Sequence, residues 1–291
     1  MPKELPIFTP PKPTPIFEKI GIVGLGLIGG SIALKSRELW PSSLVVAVDN
    51  KDVLETAMRM HAIDVAADDL IVLAEVDLVI LAAPVKQNVA LLAELDDHVR
   101  TPAVVTDVGS TKREIVDAAR ALPPRFTFVG GHPLAGAARG GLENARPDLF
   151  AGRPWLLTRS AETVPQQKLE SFVRALGAEP KVVGVDAHDR LLAFLSHLPQ
   201  LTASALMEVV GEAVGADGLS LAGRGLADTT RLAASPADIW RDIVATNADQ
   251  IGAALDLLIE RLQELRKDLP NGERLTEVFD AAAAWRNQIS R

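Results

Sequence analysis

The sequence contains no cysteine and no tyrosine among its 291 residues. Without cysteine the chain has no thiol nucleophile, no disulfide bond and no cysteine-ligated zinc site. Without tyrosine it lacks the phenol on which short-chain dehydrogenases depend for acid/base catalysis. If the chain transfers a hydride, histidine is therefore the expected proton acceptor.

An excess of basic charge and long apolar runs are missing as well. The net charge of −8 and the isoelectric point near 5.2 argue against nucleic acids and anionic membrane surfaces as partners. The longest apolar stretch, Ile20 to Leu34, is too short and too rich in glycine to be a transmembrane helix or a signal peptide. The sequence therefore predicts a cytoplasmic protein that binds small molecules, and its length allows two domains.

A glycine-rich segment follows the first strand-like run. The apolar run Ile20–Val23 leads into a GxGxxG pattern and then into a helix-like segment. The first glycine of such a pattern allows a tight turn, the second lets a pyrophosphate approach the backbone, and the third lets the helix pack on the strand, with the helix N-terminus pointing at the phosphates. The pattern predicts a dinucleotide site formed by Gly24, Gly26, Leu27, Ile28 and Gly29.

An acidic residue ends the second β-branched run, Leu44–Val48. Asp49 stands about where a carboxylate binds the adenosine ribose hydroxyls in dinucleotide-binding folds, and its charge would repel a 2′-phosphate. This position favours NAD over NADP. The alternative is a turn residue, because Asp-Asn is also common in turns.

Strand-like and helix-like segments alternate along this part of the chain. The runs Leu78–Ala82 and Ala103–Asp107 continue the pattern. The alternation predicts an α/β fold with a doubly wound, Rossmann-type parallel sheet, in which ligands bind beyond the carboxyl ends of the strands. Ala83 and Pro84 follow one such end and are predicted to contact the cofactor.

Two polar residues that follow later strand ends are candidates for catalysis. His132 lies in the run Phe128–Gly136, where glycines leave room for a ligand to approach an imidazole that titrates near neutrality. We predict that it is the catalytic base, the alternative being a turn histidine that caps a strand. Ser110 could donate a hydrogen bond to the substrate or to His132, cap the helix predicted over 111–121, or do both. Nearby Lys112 is interpreted as a solvated or phosphate-facing charge.

After the strand-like run Lys181–Val185 the sequence is helical to its end. A helix predicted over 187–210 carries an apolar stripe that is expected to face the core. Pro199 lacks an N–H group, so it should distort this helix near His197, which either lines a ligand pocket or is an interior histidine. His188, nearer the centre of the stripe, is expected to be structural.

A polar loop and a long helix follow. Arg231 in the loop can grip a carboxylate with both arms of its guanidinium, or it is an ordinary surface charge. The apolar spacing from Trp240 to Leu269 predicts one helix of about 30 residues, which would span ~45 Å. Because that length exceeds what a small domain needs, we expect the helix to contact a partner subunit.

The predicted organisation has three parts. Residues 1–15 contain six prolines and no periodicity, and are predicted to be a disordered leader. Residues 16–185 form the dinucleotide-binding domain. Residues 186–291 form a helical domain for substrate binding and dimerisation.

With these residues the chain resembles the prephenate and arogenate dehydrogenase family of tyrosine biosynthesis. The likeness runs from about Ile20 to Asn247 and rests on the motifs Gly24–Gly29, Gly109–Lys112, Gly131–Gly136, Ser196–Pro199, Asp228–Arg231 and Ile239–Asp242. The resemblance implies an NAD-dependent oxidative decarboxylation that needs no metal, by a homodimer joined through the helical domain. It implies that His132 acts on the ring hydroxyl of the substrate with help from Ser110. It also implies that His197 lines the pocket and that Arg231 holds a substrate carboxylate.

One departure from the family bears on the substrate. Many members follow the motif of His132 with polar residues, often including an acid, whereas this chain has Ala137-Ala138-Arg139. The missing negative charge favours prephenate, with its keto side chain, over arogenate, with its ammonium group.

Two other functions stay open. A β-hydroxyacid dehydrogenase normally uses a lysine in its helical domain, where this chain has only Lys267, and a non-catalytic NAD-binding sensor would not need all the candidate residues together.

Overall fold

The computed structural model describes residues 14–137, 139–161 and 163–289. Its larger sheet has six parallel strands in the spatial order β3-β2-β1-β4-β5-β6. The strands are β1 Lys19–Val23, β2 Leu44–Val48, β3 Val65–Ala67, β4 Leu78–Leu81, β5 Ala103–Asp107 and β6 Phe126–Val129. The strand order reverses between β1 and β4, which is the switch point at which such sheets bind ligands.

Both faces of this sheet are buried. Successive residues of a strand point to opposite faces. In β4, Leu78 and Ile80 belong to one buried apolar cluster, whereas Val79 and Leu81 belong to another. The sheet is therefore covered on both sides, as the nearly continuous apolar runs of its strands require. This confirms the predicted doubly wound α/β fold.

The helices flank this sheet and make up the C-terminal part of the chain. They are α1 Leu27–Leu39, α2 Lys51–Arg59, α3 Val85–His98, α4 Arg113–Ala119, α5 Thr163–Ala175, α6 Val185–Leu192, α7 Leu198–Leu219, α8 Arg224–Thr229, α9 Ala237–Thr246, α10 Ala248–Asp268 and α11 Glu273–Ile289. None of the described helices is long and apolar enough to cross a membrane.

A smaller sheet carries the candidate base. It consists of β7 Gly131–Pro133, β8 Pro154–Thr158 and β9 Glu179–Val183, with β7 antiparallel and β9 parallel to β8. His132 lies in the middle of β7, opposite Leu156. The sequence did not predict β3 or β8, because β3 has only three residues and β8 begins with a proline and has a single β-branched residue, Thr158. The described part of the chain contains no strand after β9, so the helical C-terminal region is confirmed.

The chain forms two compact units. The first comprises Met1–Asp189 and Ser235–Thr246, and the second comprises Arg190–Ala234 and Asn247–Arg291. The first unit therefore takes in α9, which the sequence assigned to the helical domain. The domain boundary between residues 185 and 186 stays a prediction. Of the predicted leader, residues 1–13 lie outside the described residues.

The prediction of a single long helix from Trp240 to Leu269 is wrong, because the helix is interrupted at Asn247. The φ angle of Asn247 is −138°, and its buried side-chain nitrogen lies 3.3 Å from Nδ1 of His197. Just before it, the hydroxyl of Thr246 donates to the carbonyl of Asp242 at 2.8 Å. Helix α10 alone spans only ~32 Å at 1.5 Å per residue. Its length therefore no longer argues for a partner subunit.

The apolar stripe predicted over 187–210 is mostly exposed within the chain, which corrects the expectation that it faces the core. Leu192 is buried, but Leu195 is 66 % exposed and Val209 is 64 % exposed. A helical apolar pattern shows only that one face leaves water, and the covering surface can belong to the same chain or to another.

Candidate active site

The glycine-rich turn after β1 has the geometry of a phosphate site. Gly24 has a φ of +96°, which favours glycine, and a Cβ there would lie 2.7 Å from the carbonyl carbon of Ala82. A Cβ on Gly29 would lie 2.0 Å from the carbonyl oxygen of Gly24, so only glycine lets α1 pack on the turn. At Gly26 the same position is open space. The turn therefore fits a pyrophosphate that lies against its backbone.

Helix α1 adds backbone donors to this turn. Gly26 is its N-cap residue, and the first turn, which holds Leu27, Ile28 and Gly29, contains no acidic side chain. The first N–H groups of a helix lack partners within the helix, and the helix dipole favours a negative charge near them. These three predicted cofactor residues would therefore act through their backbone.

A cleft of about 800 Å³ opens at the carboxyl ends of β1, β2 and β4. Among the residues that line it are five of the predicted cofactor residues, Gly24, Gly26, Asp49, Ala83 and Pro84. Three more acidic residues that sequence reasoning missed, Asp68, Asp69 and Glu94, line it as well. Asp68 and Asp69 follow β3, a strand of three residues that is too short to be recognised from its sequence pattern, so their position at a strand end could not be predicted.

Asp49 also has a structural task. Its Oδ2 accepts a hydrogen bond of 2.6 Å from the backbone N–H of Leu25, in the glycine-rich turn. Its Oδ1 accepts from the backbone N–H of Asn50 at 2.6 Å and from the amide of that side chain at 2.9 Å. A carboxylate has about four lone-pair sites, so these three bonds leave about one site for a ribose hydroxyl. The ribose-binding role of Asp49 stays a prediction.

The loop after β5 is tied to the strand of His132 by a buried carboxylate. Asp107 is fully buried, and its Oδ1 accepts a hydrogen bond of 3.0 Å from the N–H of Gly131 in β7. Its Oδ2 accepts from the N–H of Gly109 at 2.8 Å. A Cβ on Gly131 would lie 2.5 Å from the carbonyl oxygen of Asp107, so glycine is required for this close approach. The segments that carry Ser110 and His132 are thereby held together.

Lys112 is not the solvated charge that the sequence suggested. Its side chain is fully buried and its Nζ pairs with the carboxylate of Asp107. Burial lowers the pKa of Lys112, and the charge of Asp107 opposes that effect. A buried ammonium needs such a partner, so Lys112 and Asp107 form one unit within the loop.

Ser110 does not cap α4. That helix begins at Arg113 with Lys112 as its N-cap residue. Its first N–H groups are bound instead by Asp189, whose carboxylate accepts from Lys112 N–H at 2.7 Å and from Arg113 N–H at 3.0 Å. The N-capping interpretation of Ser110 is therefore wrong, and its catalytic role stays a prediction.

His132 is bound to a second histidine that the sequence reasoning set aside as structural. His132 as a residue is 8 % exposed, and its Nδ1 lies 2.9 Å from Nε2 of His188. Nδ1 of His188 lies 2.8 Å from Oδ1 of Asp189, and both residues are fully buried. Their adjacency just after the last strand was the only signal for this contact. A contact across 56 positions cannot be found by local periodicity.

Burial and hydrogen bonding set the charges of this chain of groups. Burial is the main cause that lowers the pKa of His188, which favours the neutral imidazole. Burial alone would raise the pKa of Asp189, but hydrogen bonds from His188 and from the backbone of Arg113 and Lys112 outweigh it and lower the pKa. Asp189 is therefore a carboxylate at neutral pH.

The other two predicted site residues lie in the second compact unit. His197 is 1 % exposed and ends a π-helical turn, Ala193–His197, just before Pro199. The distortion predicted beside the proline is thus confirmed. Arg231 is exposed and begins a short 3₁₀ helix, Arg231–Ala234. Their contact with a ligand stays a prediction.

Comparisons with known proteins cover nearly the whole chain. Residues 32–183 match the family model for the nucleotide-binding domain of prephenate dehydrogenase, and residues 185–281 match the model for its dimerization domain. The prephenate dehydrogenase of Bacillus subtilis strain 168 is 33 % identical over 282 residues, which are 94 % of this chain and 76 % of the relative.

Two solved structures resemble the chain at full length. Prephenate dehydrogenase from Aquifex aeolicus, in complex with hydroxyphenyl propionate and NAD+, is 26 % identical with a TM-score of 0.86, and the match covers 94 % of this chain and 98 % of that one. Arogenate dehydrogenase of Synechocystis is 29 % identical with a TM-score of 0.79, over 93 % and 99 % of the two chains.

Proposed function

Because this chain belongs to the prephenate dehydrogenase family, we propose that it oxidises and decarboxylates prephenate with NAD as hydride acceptor and His132 as general base. The observation that carries the proposal is the hydrogen bond from Gly131 N–H to Asp107, which joins the strand of His132 to the loop of Ser110. Both side chains follow carboxyl ends of the sheet whose switch point holds the dinucleotide cleft. The family favours this function over the hydroxyacid dehydrogenase and the NAD sensor.

The residues supply a base and a hydrogen-bond donor for a ring hydroxyl. His132 removes the hydroxyl proton, and Ser110 donates a hydrogen bond to the same oxygen. A positioned base typically contributes ~10² to 10⁴ in rate. Bound NAD would accept the hydride that leaves the ring carbon bearing this oxygen, and that carbon becomes a ketone.

Decarboxylation completes the reaction without a further base. Carbon dioxide leaves from the ring carbon opposite the ketone, and the electrons of the broken carbon–carbon bond make the ring aromatic, with a phenolate oxygen. The proton held by His132 returns to this oxygen, so the base is regenerated in each turnover. Aromatisation makes the second step strongly favourable.

Two residues of the second unit are proposed to bind the substrate. The exposed guanidinium of Arg231 is suited to grip one of the carboxylates of prephenate with two hydrogen bonds. His197 would line the pocket through its ring. The segment Ala137-Ala138-Arg139 contains no acid for the ammonium of arogenate, which supports prephenate as the better substrate. Ala138 lies outside the described residues.

We further propose a homodimer formed through the helical part of the chain. Support comes from the match of residues 185–281 to a dimerization domain and from the exposed apolar side chains of α7 and α10, such as Val209 and Leu262. Light scattering should report about twice the 31.0 kDa chain mass. Val209→Glu should shift the protein toward the monomer, whereas Glu212→Gln on the same helix should not. A native monomer at micromolar concentration would contradict the proposal.

Steady-state assays test the activity. The enzyme should form NADH and release carbon dioxide in equal amounts from prephenate, with weaker turnover of arogenate. Turnover of neither compound would overturn the proposed function, and a higher kcat/KM for arogenate would overturn the assignment of prephenate.

A further inference from the structure

We propose that His188 and Asp189 are positioning residues that hold His132 in the tautomer with its proton on Nδ1 and stabilise the imidazolium formed when Nε2 accepts the substrate proton. The proposal rests on the proposed function in so far as His132 is the base. It goes further, because it assigns a role to two buried residues that do not touch the substrate in the reaction described above.

The first step is the direction of the hydrogen bond between Asp189 and His188. Asp189 is fully buried and accepts hydrogen bonds from the backbone N–H groups of Lys112 and Arg113. These donors hold it in the ionised form, which can only accept hydrogen bonds. Nδ1 of His188, at 2.8 Å from Oδ1, must therefore carry the proton of this pair.

The second step follows from the first. A neutral imidazole that carries its proton on Nδ1 has a lone pair on Nε2. Nε2 of His188 lies 2.9 Å from Nδ1 of His132, so Nδ1 of His132 must donate to it. His132 is then left with the lone pair on Nε2, which is the nitrogen that serves as base. One buried carboxylate thus fixes two tautomers in series.

The third step concerns charge. When His132 gains a proton, its positive charge lies one imidazole away from the carboxylate of Asp189. The other charged groups beside these hydrogen-bonded side chains are already paired. Lys112 binds Asp107, and the Nε of Arg113 lies 3.3 Å from Asp189. Arg113 is partly exposed, so solvent screens its charge. The buried carboxylate therefore favours the protonated state of His132, in the way that the aspartate of a catalytic triad favours imidazolium.

Two substitutions of His188 separate these effects. In His188→Gln the amide oxygen can still accept the proton of His132 Nδ1, but the link to the charge of Asp189 is cut. In His188→Asn the shorter amide can still bind Asp189, but His132 loses its partner. The matched control is His61→Asn, the same change at an exposed histidine whose φ of 55° asparagine tolerates well.

We expect kcat with prephenate to fall ~10-fold in His188→Gln and ~10²-fold or more in His188→Asn, with KM changed less and His61→Asn like the native enzyme. In His188→Gln the ascending limb of the pH–kcat profile should move to lower pH, because the proton on His132 is no longer stabilised. A merely structural role would lower folded fraction and kcat alike but leave the pH limb in place, and that result would overturn the proposal.

A spectroscopic measurement on the folded protein needs no substrate and no turnover. In ¹⁵N-histidine spectra of the folded protein, two of its five histidines should carry their proton on Nδ1, the less common tautomer in water. The His132 signal, identified by its loss in His132→Asn, should change to the Nε2-protonated form or a mixture in His188→Asn. A native His132 protonated on Nε2 would overturn the inference even if prephenate is turned over. A native enzyme that shows the expected tautomers but no turnover would refute the proposed function alone.

Discussion

The carboxylate of Asp107 and the ammonium of Lys112 form a fully buried ion pair at the end of β5. The same carboxylate accepts the N–H groups of Gly109 and Gly131, so it connects the loop of Ser110 to the strand of His132. The pair is therefore both a structural element of the fold and a support for the site. Removing one partner leaves the other charge unpaired in an apolar interior, which strongly destabilises the fold.

Asp107→Asn should destabilise the fold by about 3–5 kcal/mol, because its amide can replace one hydrogen bond but cannot balance the charge of Lys112. Urea unfolding followed by circular dichroism measures the change. The control is Glu75→Gln, which removes the carboxylate of an exposed pair with Lys19 and should leave the midpoint nearly unchanged. Equal midpoints for the two variants would show that Lys112 adapts to the loss of its partner.

His132→Asn should lower kcat with prephenate ~10²- to 10⁴-fold while KM changes less, since asparagine keeps a polar group of similar shape but cannot accept the proton at neutral pH. In the native enzyme kcat should rise with pH as the imidazole loses its proton. Near-native kcat in the variant would mean that another group is the base.

The strand ends were the part of the site that the sequence could predict. The glycine-rich turn, Asp49 and His132 follow strand-like runs, and a parallel sheet brings such ends to one edge. The contact of His188 could not be predicted, because its partner lies 56 positions away in the sequence. Neither helical periodicity nor residue type distinguishes a buried hydrogen-bond partner of another histidine from an ordinary core residue. The break at Asn247 was missed for a similar reason. Its buried amide faces His197, and this tertiary contact overrides the apolar spacing that continues through it.

The acidic lining of the dinucleotide cleft should make the enzyme prefer NAD over NADP by at least ~10-fold in kcat/KM, about 1.4 kcal/mol. Asp49→Asn should reduce this preference. The amide oxygen of asparagine can still accept the Leu25 N–H, but the negative charge that repels a 2′-phosphate is gone. Asp68→Asn, at another position of the cleft lining, shows how much of the preference is general charge. If the native enzyme is as active with NADP as with NAD, the assignment of Asp49 to ribose binding is contradicted.

Acid should destabilise the fold partly through His188. Its pKa is lowered from 6.5 by burial, so below about pH 6.5 the unfolded chain binds a proton that the folded chain does not. The free energy of unfolding should therefore fall as pH falls from 6.5 through the lowered folded value, and this loss is absent above that window. Urea midpoints at pH 7.5, 6 and 5 measure it in the His132→Asn background, in which His132 does not titrate. Adding His188→Gln should make the urea midpoint depend less on pH. An unchanged dependence would contradict the role of His188 in the acid destabilisation.

Arg231→Gln should raise KM for prephenate ~10- to 150-fold, because a hydrogen bond to a charged group contributes about 1.5–3 kcal/mol and the shorter amide can still form a hydrogen bond but carries no charge. Arg231→Lys should restore only part of the affinity, since a point charge cannot reproduce the two parallel hydrogen bonds of a guanidinium. Arg224→Gln, at an exposed arginine of the same unit, is the matched control and should leave KM unchanged. Calorimetric titration with NAD should give native affinity in every variant, because the dinucleotide cleft lies in the first unit. A native KM in Arg231→Gln would make this residue an ordinary surface charge, and the substrate carboxylate would then need another cation.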